Sequence, residues 1–212
     1  MPARRRVSKN DLRAAERYDA APFVPASRSL ATLRAASRGC RGCPLFIPAT
    51  QTVFGEGPKT ATIVLVGEEP GDVEDRKDAV FVGPAGRVLD EALEKAGLGR
   101  PAVYLTNAVK HFKFEERGKR RLHKKPGARE IEACRPWLGA ELDAIRPTVV
   151  VCLGATAANS IGRFADLGRA GVVRTIHPSA ALRAPERKQR HSLRARLVRD
   201  LRRAKRLAEA GG

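Results

Sequence analysis

Four short apolar runs recur along the chain, at residues 62–66, 103–106, 148–153 and 172–176, all rich in Val, Ile, Leu and Thr. Runs of this length without polar alternation predict strands buried on both faces. Between them the apolar spacing changes to threes and fours. Val88, Leu89, Ala92 and Leu93 predict a helix over 84–96, stopped by Gly97. Ile131, Trp137, Leu138 and Leu142 predict another over 129–145, ending before Pro147. A shorter helix fits 155–161, an Arg-dense one fits 189–208, and two more fit 11–18 and 27–37. Strands alternating with helices give βαβ units. The expected fold class is α/β, a three-layer α/β/α arrangement with a central, mainly parallel four-stranded sheet.

Two stretches depart from this rhythm. Residues 1–30 are basic, Ala-rich and interrupted by Pro, and read as a loosely held arm before a single domain over 31–212. Residues 109–129 carry no long apolar period, hold Gly118 and Pro126, and are crowded with Lys and Arg. They read either as a solvated basic loop or as a loop lying over a nucleic-acid backbone.

Composition narrows the partners. The chain has 212 residues, with 41 Lys and Arg against 23 Asp and Glu, a net charge of +18. That excess points to a polyanion, nucleic acid first and an anionic membrane surface second; an Arg-rich genome composition is the competing source. No apolar stretch approaches the ~18 residues that span a bilayer, and the basic start lacks the apolar core of a secretory signal. A soluble, cytoplasmic protein is expected. There are four cysteines, Cys40, Cys43, Cys134 and Cys152. In a reducing compartment clustered thiols more often bind metal than form disulfides. One Cys-x-x-Cys knuckle plus two scattered cysteines fits an iron–sulfur cluster at least as well as zinc, while Cys134 and Cys152 also suit plain buried positions.

The densest chemistry follows the first strand. It ends in Gly67-Glu68-Glu69-Pro70-Gly71, and Phe81-Val82-Gly83-Pro84-Ala85-Gly86-Arg87 comes soon after. Ligands of open α/β sheets bind beyond the carboxyl ends of the strands. An acid pair, an aromatic and a Gly/Pro loop at such an end suit a flat, charged ligand.

Four features, in order, resemble the iron–sulfur branch of the uracil-DNA glycosylase superfamily. They are Cys-x-x-Cys-Pro-Leu at 40–45, Gly-Glu-x-Pro-Gly at 67–71 with the 81–87 loop, Thr106-Asn107, and His177-Pro178-Ser179 with Leu182-Arg183. Lys119-Arg120-Arg121-Leu122-His123 further resembles the Lys-Arg-Arg-Ile-His loop of the X-type members, which bond covalently to DNA at the uracil site. The resemblance implies that uracil-containing DNA, single- or double-stranded, is the substrate. It implies that the uracil flips out, stacks on Phe81 and is read at its edge by Asn107. His177 would stabilise the departing base, and Glu68 would lie near the cationic sugar and orient or deprotonate His123. His123 would capture the sugar carbon, with Arg121 holding the loop or a phosphate. Gly67, Glu69 and Asp72 fall on substrate-binding positions, and Gly83, Pro84 and Ser179 fall against the DNA backbone. Lys119, Arg120, Lys124 and Lys125 would meet phosphates. The four cysteines would hold a structural [4Fe-4S] cluster, and a monomer is expected. One departure stands out: Glu69 replaces the Gln usual in the X-type motif, and an ionised carboxylate cannot donate a hydrogen bond. The competing functions are a conventional turnover glycosylase of the same branch and a non-catalytic binder of uracil-containing DNA.

Overall fold

The computed structural model describes residues 8–27, 29–164, 167–168 and 170–211. Among the described residues, six strands are β1 (Ile63–Gly67), β2 (Tyr104–Asn107), β3 (Phe114–Arg117), β4 (Arg120–His123), β5 (Val149–Leu153) and β6 (Gly171–Thr175). The same residues form eight α-helices, α1 (Lys9–Glu16), α2 (Leu30–Ser37), α3 (Asp72–Lys77), α4 (Pro84–Lys95), α5 (Ala128–Ile145), α6 (Ala155–Ile161), α7 (Pro178–Arg183) and α8 (Arg187–Ala210).

The main sheet runs β2-β1-β5-β6, and every neighbouring pair is parallel. This is the three-layer α/β arrangement expected from the alternating runs. Successive side chains of a strand point to opposite faces, and both faces here are apolar. Ile63, Leu65, Val149, Val151 and Leu153 pack on one side with Leu89 and Leu93 of α4 and Leu197 and Leu201 of α8. Val64, Val66 and Val150 pack on the other with Leu138 and Leu142 of α5 and Ala157 and Ile161 of α6. Burial on both faces is why the strands read as continuous apolar runs.

The parallel register gathers the strand ends on one edge. Gly67 lies opposite Asn107, and Leu153 lies opposite Thr175. Below that edge sits a buried ion pair. Lys110 Nζ lies 2.5 Å from Glu141 Oε2, with side chains 1% and 0% exposed. Lys110 also donates to Thr106 Oγ1 and to the Asn107 carbonyl. Glu141 accepts from Gly55 N, Tyr104 OH and Thr106 Oγ1. The pair therefore ties α5 to the end of β2.

The basic segment differs from the irregular loop predicted for it. Residues 114–123 form an antiparallel hairpin, β3 with β4, with Phe114 opposite His123. The turn is made by Gly118, whose φ of +58° favours glycine. At the amino end, Ser8 and Asp11 cap α1 reciprocally. Ala15 and Ala20 are buried, and Ala20 N bonds the Ala133 carbonyl. Residues 1–7 and 28 of the predicted arm lie outside the described residues. Among the described residues no helix is long and apolar enough to cross a membrane.

Candidate functional site

The sheet edge at Gly67 forms the floor of the site. A β-carbon at Gly67 would stand 2.3 Å from Asn107 Oδ1 and 2.6 Å from Phe81 Cζ. Only glycine lets both side chains approach the backbone there. Phe81 itself holds a left-handed φ of +52°, a conformation that needs support from outside the loop. Arg100 supplies it by donating to the carbonyls of Val80 and Phe81. Gly86, at the start of α4, also packs directly on the Phe81 backbone, where a side chain would collide. The loop is further closed by Glu74, which is buried and accepts from Gly83 N at 2.7 Å. Sequence reading passed over Glu74 because its role depends on a loop nine residues away.

His177 caps α7 and faces Phe81, with ring centroids 6.4 Å apart. Ser179 N donates to His177 Nδ1 at 3.2 Å. With Nδ1 accepting from that N–H, the ring proton falls on Nε2, and the Ser179 hydroxyl, 2.7 Å from the same nitrogen, takes the donor role. Burial pushes the imidazole down to about 4, so at neutral pH His177 is an uncharged Nε2–H donor. Ser179, expected against DNA, is engaged with this ring.

The hairpin carries His123 to the same edge. Its Nε2 lies 3.1 Å from Glu69 Oε1 and 3.8 Å from Glu68 Oε1. The nearer acid is thus Glu69, not the Glu68 expected from the resemblance. Glu68 instead accepts from Thr156 Oγ1 at the start of α6. Partial burial holds His123 below the usual histidine range.

Arg121 is committed to the protein. It pairs with Asp72 at 2.5 Å and Asp75 at 2.7 Å, and its guanidinium lies against the rings of Phe112 and Phe114. These contacts pin the hairpin to α3. Asp72, expected against substrate, is occupied by Arg121 and Arg76. Lys119, Arg120 and Lys125 are exposed on or beside the hairpin. Lys124 is also exposed but pairs with Glu115 at 2.6 Å.

The structure brings three of the four cysteines together. Cys40, Cys43 and Cys134 share one buried cluster with Phe54, Val109 and Trp137. Trp137 Nε1 donates to Cys40 Sγ at 3.2 Å, and Lys110 N donates to Cys134 Sγ at 3.3 Å. N–H donors aimed at sulfurs suit thiolates that hold an iron–sulfur cluster. Cys152 lies elsewhere. It faces the sheet–helix layer beside Val64 and Val150, because residue 152 shares a face with residue 150. Val109 joins that cluster and Lys110 follows it on the same loop, which also carries His111, buried at 4% exposure with Asp75 as its nearby charge. His111 was not among the ligands read from sequence, since the cysteine count alone supplied four.

Residues 54–202 match the family model of the uracil DNA glycosylase superfamily. The chain is 37% identical over 171 residues to the type-4 uracil-DNA glycosylase of Archaeoglobus fulgidus, covering 72% of this chain and 82% of that protein. It is 36% identical over 182 residues to the type-4 uracil-DNA glycosylase of Thermotoga maritima, covering 78% and 88%. A third relative of the same name, from Pyrobaculum aerophilum, is 34% identical over 167 residues.

Proposed function

The chain belongs to the uracil-DNA glycosylase superfamily, and on that premise we propose that it excises uracil from DNA and that His123 then captures the abasic sugar. The excision half is supported by the side-chain cluster at Gly67, where Phe81, Asn107 and His177 converge. Phe81 offers a face for a flipped uracil, and Asn107 offers both a donor and an acceptor to its edge. The Nε2–H of His177 is a fixed donor for the oxygen of a departing uracil anion, and needs no protonation step to act.

The covalent half is supported by one observation, the His123 imidazole held at the same strand end as Glu68 and Glu69. Cleavage of the glycosidic bond leaves an electrophilic sugar carbon and a uracil anion. A neutral imidazole nitrogen forms the new carbon–nitrogen bond, the ring's remaining N–H proton passes to the Glu68 carboxylate, and the neutral N-glycosyl imidazole left behind has no easy leaving path. The names of the relatives favour the second reading, in which water captures the sugar and the enzyme turns over. A denaturing gel of the protein with a uracil-containing oligonucleotide separates the two. A shifted band supports capture by the protein, and alkali-cleavable DNA without a shift supports turnover. Neither product leaves a binder.

A [4Fe-4S] cluster would be held by Cys40, Cys43 and Cys134, and when bound it would tie the amino-terminal knuckle to α5 without taking part in glycosidic cleavage. The fourth ligand falls to Cys152 or His111. Cys134→Ala should remove most of the iron, and metal analysis of Cys152→Ala against His111→Ala assigns the fourth position. From the burial pattern, iron should survive Cys152→Ala. Colourless protein with stoichiometric zinc would reject the cluster.

Binding should weaken steeply with salt, because Lys and Arg contacts release counterions from phosphates. Neutralising Arg120 and Lys125 together should flatten the slope of log affinity against log salt by up to about two contacts. Neutralising Lys124 should do less, since Glu115 already offsets its charge. An unchanged slope in the double variant would place the hairpin off the DNA.

A further inference from the structure

Glu69 is a buried acid without an ordinary counter-charge. Its side chain is fully enclosed, neither carboxyl oxygen has a well-formed hydrogen bond among the described residues, and the backbone N–H of Lys113 is the one donor acting on it. His123 Nε2 stands 3.1 Å from Oε1, close enough for a bond but with the ring N–H not aligned to it. The charged groups acting on Glu69 are Glu68, on the same strand end, Lys113 from the loop after β2, and Glu130 from α5. The two acids oppose a further negative charge, and Lys113 is already paired with Glu130 at 2.7 Å. Around His123 the remaining charged or titratable groups are Glu68, together with Arg183 and His177 of α7.

We infer that Glu69 stands as a neutral carboxylic acid against which His123 packs, making Glu69 the positioning residue for that imidazole. A carboxylate would only accept a hydrogen bond, but the protonated acid also donates one. A neutral Glu69 places no counter-charge on His123, so the imidazole stays uncharged and keeps its one nitrogen lone pair for the sugar carbon. Burial and the neighbouring Glu68 push Glu69 up to about 10, in keeping with this arrangement. The proton inventory concerns the DNA-free protein; only its consequence for crosslinking rests on the reading of His123 as acceptor.

The sign of the linkage gives a test without DNA. An acid whose value rises on folding contributes stability below the unfolded carboxyl range, near 4.5. That contribution is lost as pH rises toward the folded value. Glu69→Gln removes this loss. The Tm of wild type and Glu69→Gln should be similar at pH 5, and the variant should lead by several degrees at pH 9. An ionised Glu69–His123 pair gives the opposite result, a variant that is less stable at neutral pH with the gap closing in acid. A gap constant across pH equally overturns the inference, because Glu69 then titrates alike in both states. Infrared spectroscopy provides a second measurement on folded protein. A protonated-carboxyl C=O band at neutral pH should disappear in both Glu69→Gln and Glu69→Ala, and its absence from wild type overturns the inference. In crosslinking, Glu69→Ala should slow the reaction roughly a hundredfold, the scale of a misplaced reacting group. Glu69→Gln should stay near wild type at pH 7 and keep its rate at alkaline pH, where wild type falls. If no crosslink forms in any variant, the reading of His123 fails while the thermal and infrared results still decide the state of Glu69.

Discussion

His123→Ala should abolish the denaturant-resistant protein–DNA band completely while leaving uracil excision measurable. The two outcomes separate because the residues serve different atoms. Phe81, Asn107 and His177 surround Gly67 at the sheet edge, whereas His123 arrives on a separate hairpin. Removing the imidazole leaves the floor of the site in place and opens the space above it to water. The variant should then release uracil and abasic DNA, and multiple turnover becomes measurable by product accumulation beyond enzyme concentration. His177→Ala should behave differently. It removes the fixed Nε2–H donor, and losing one such donor typically costs about 10²–10³ in rate. Excision and crosslinking should fall together. A crosslinked peptide containing a residue other than His123, or a persistent band in His123→Ala, would refute capture by this side chain.

Lys110→Met should be the most destabilising of the single changes considered. It leaves Glu141 as a fully buried carboxylate without its cation, and breaking a buried pair from one side costs about 3–5 kcal/mol. Total stability of a domain is only about 5–15 kcal/mol, so a large share would be lost, read by urea unfolding. The site should suffer as well, because Lys110 also donates to the carbonyl of Asn107. Replacing both partners with apolar residues should recover part of the loss, since an isolated charge is no longer buried. If Lys110→Met costs under about 1 kcal/mol, the pair is not what holds β2 to α5.

These tests probe features that were unequally legible in the chain. The strands around residues 63–67, 104–107, 149–153 and 171–175 came from apolar runs, because burial on both faces leaves a local signature. The helices came from apolar spacing, to within a few residues at most ends. Two short helices, α3 and α7, were missed, since six residues hold too little periodicity to register. The hairpin was missed for a related reason. Its register sets Arg and Glu side by side, and its one large apolar strand residue that packs inward is Phe114, stacked on Phe112 outside the strands.

The sequence by itself determined the order of the elements and carried the resemblance that named candidate residues around the first strand end. Only the tertiary structure decided what those residues touch. Arg121 and Asp72 look like ligand-binding charges in the chain, but they satisfy each other across 49 positions. Cys152 counts as a fourth thiol in the chain, but its strand turns it toward the sheet–helix layer. Lys110 looks like one more basic residue, yet it is enclosed against Glu141. Glu69 differs from Glu68 only by one step along the backbone, but that step carries it from a partly exposed edge into a fully enclosed position. Apolar periodicity is local, because each element buries a face wherever it packs. The state of a charge is set by dielectric and by partners brought from distant parts of the chain, and that information exists only once the chain has folded.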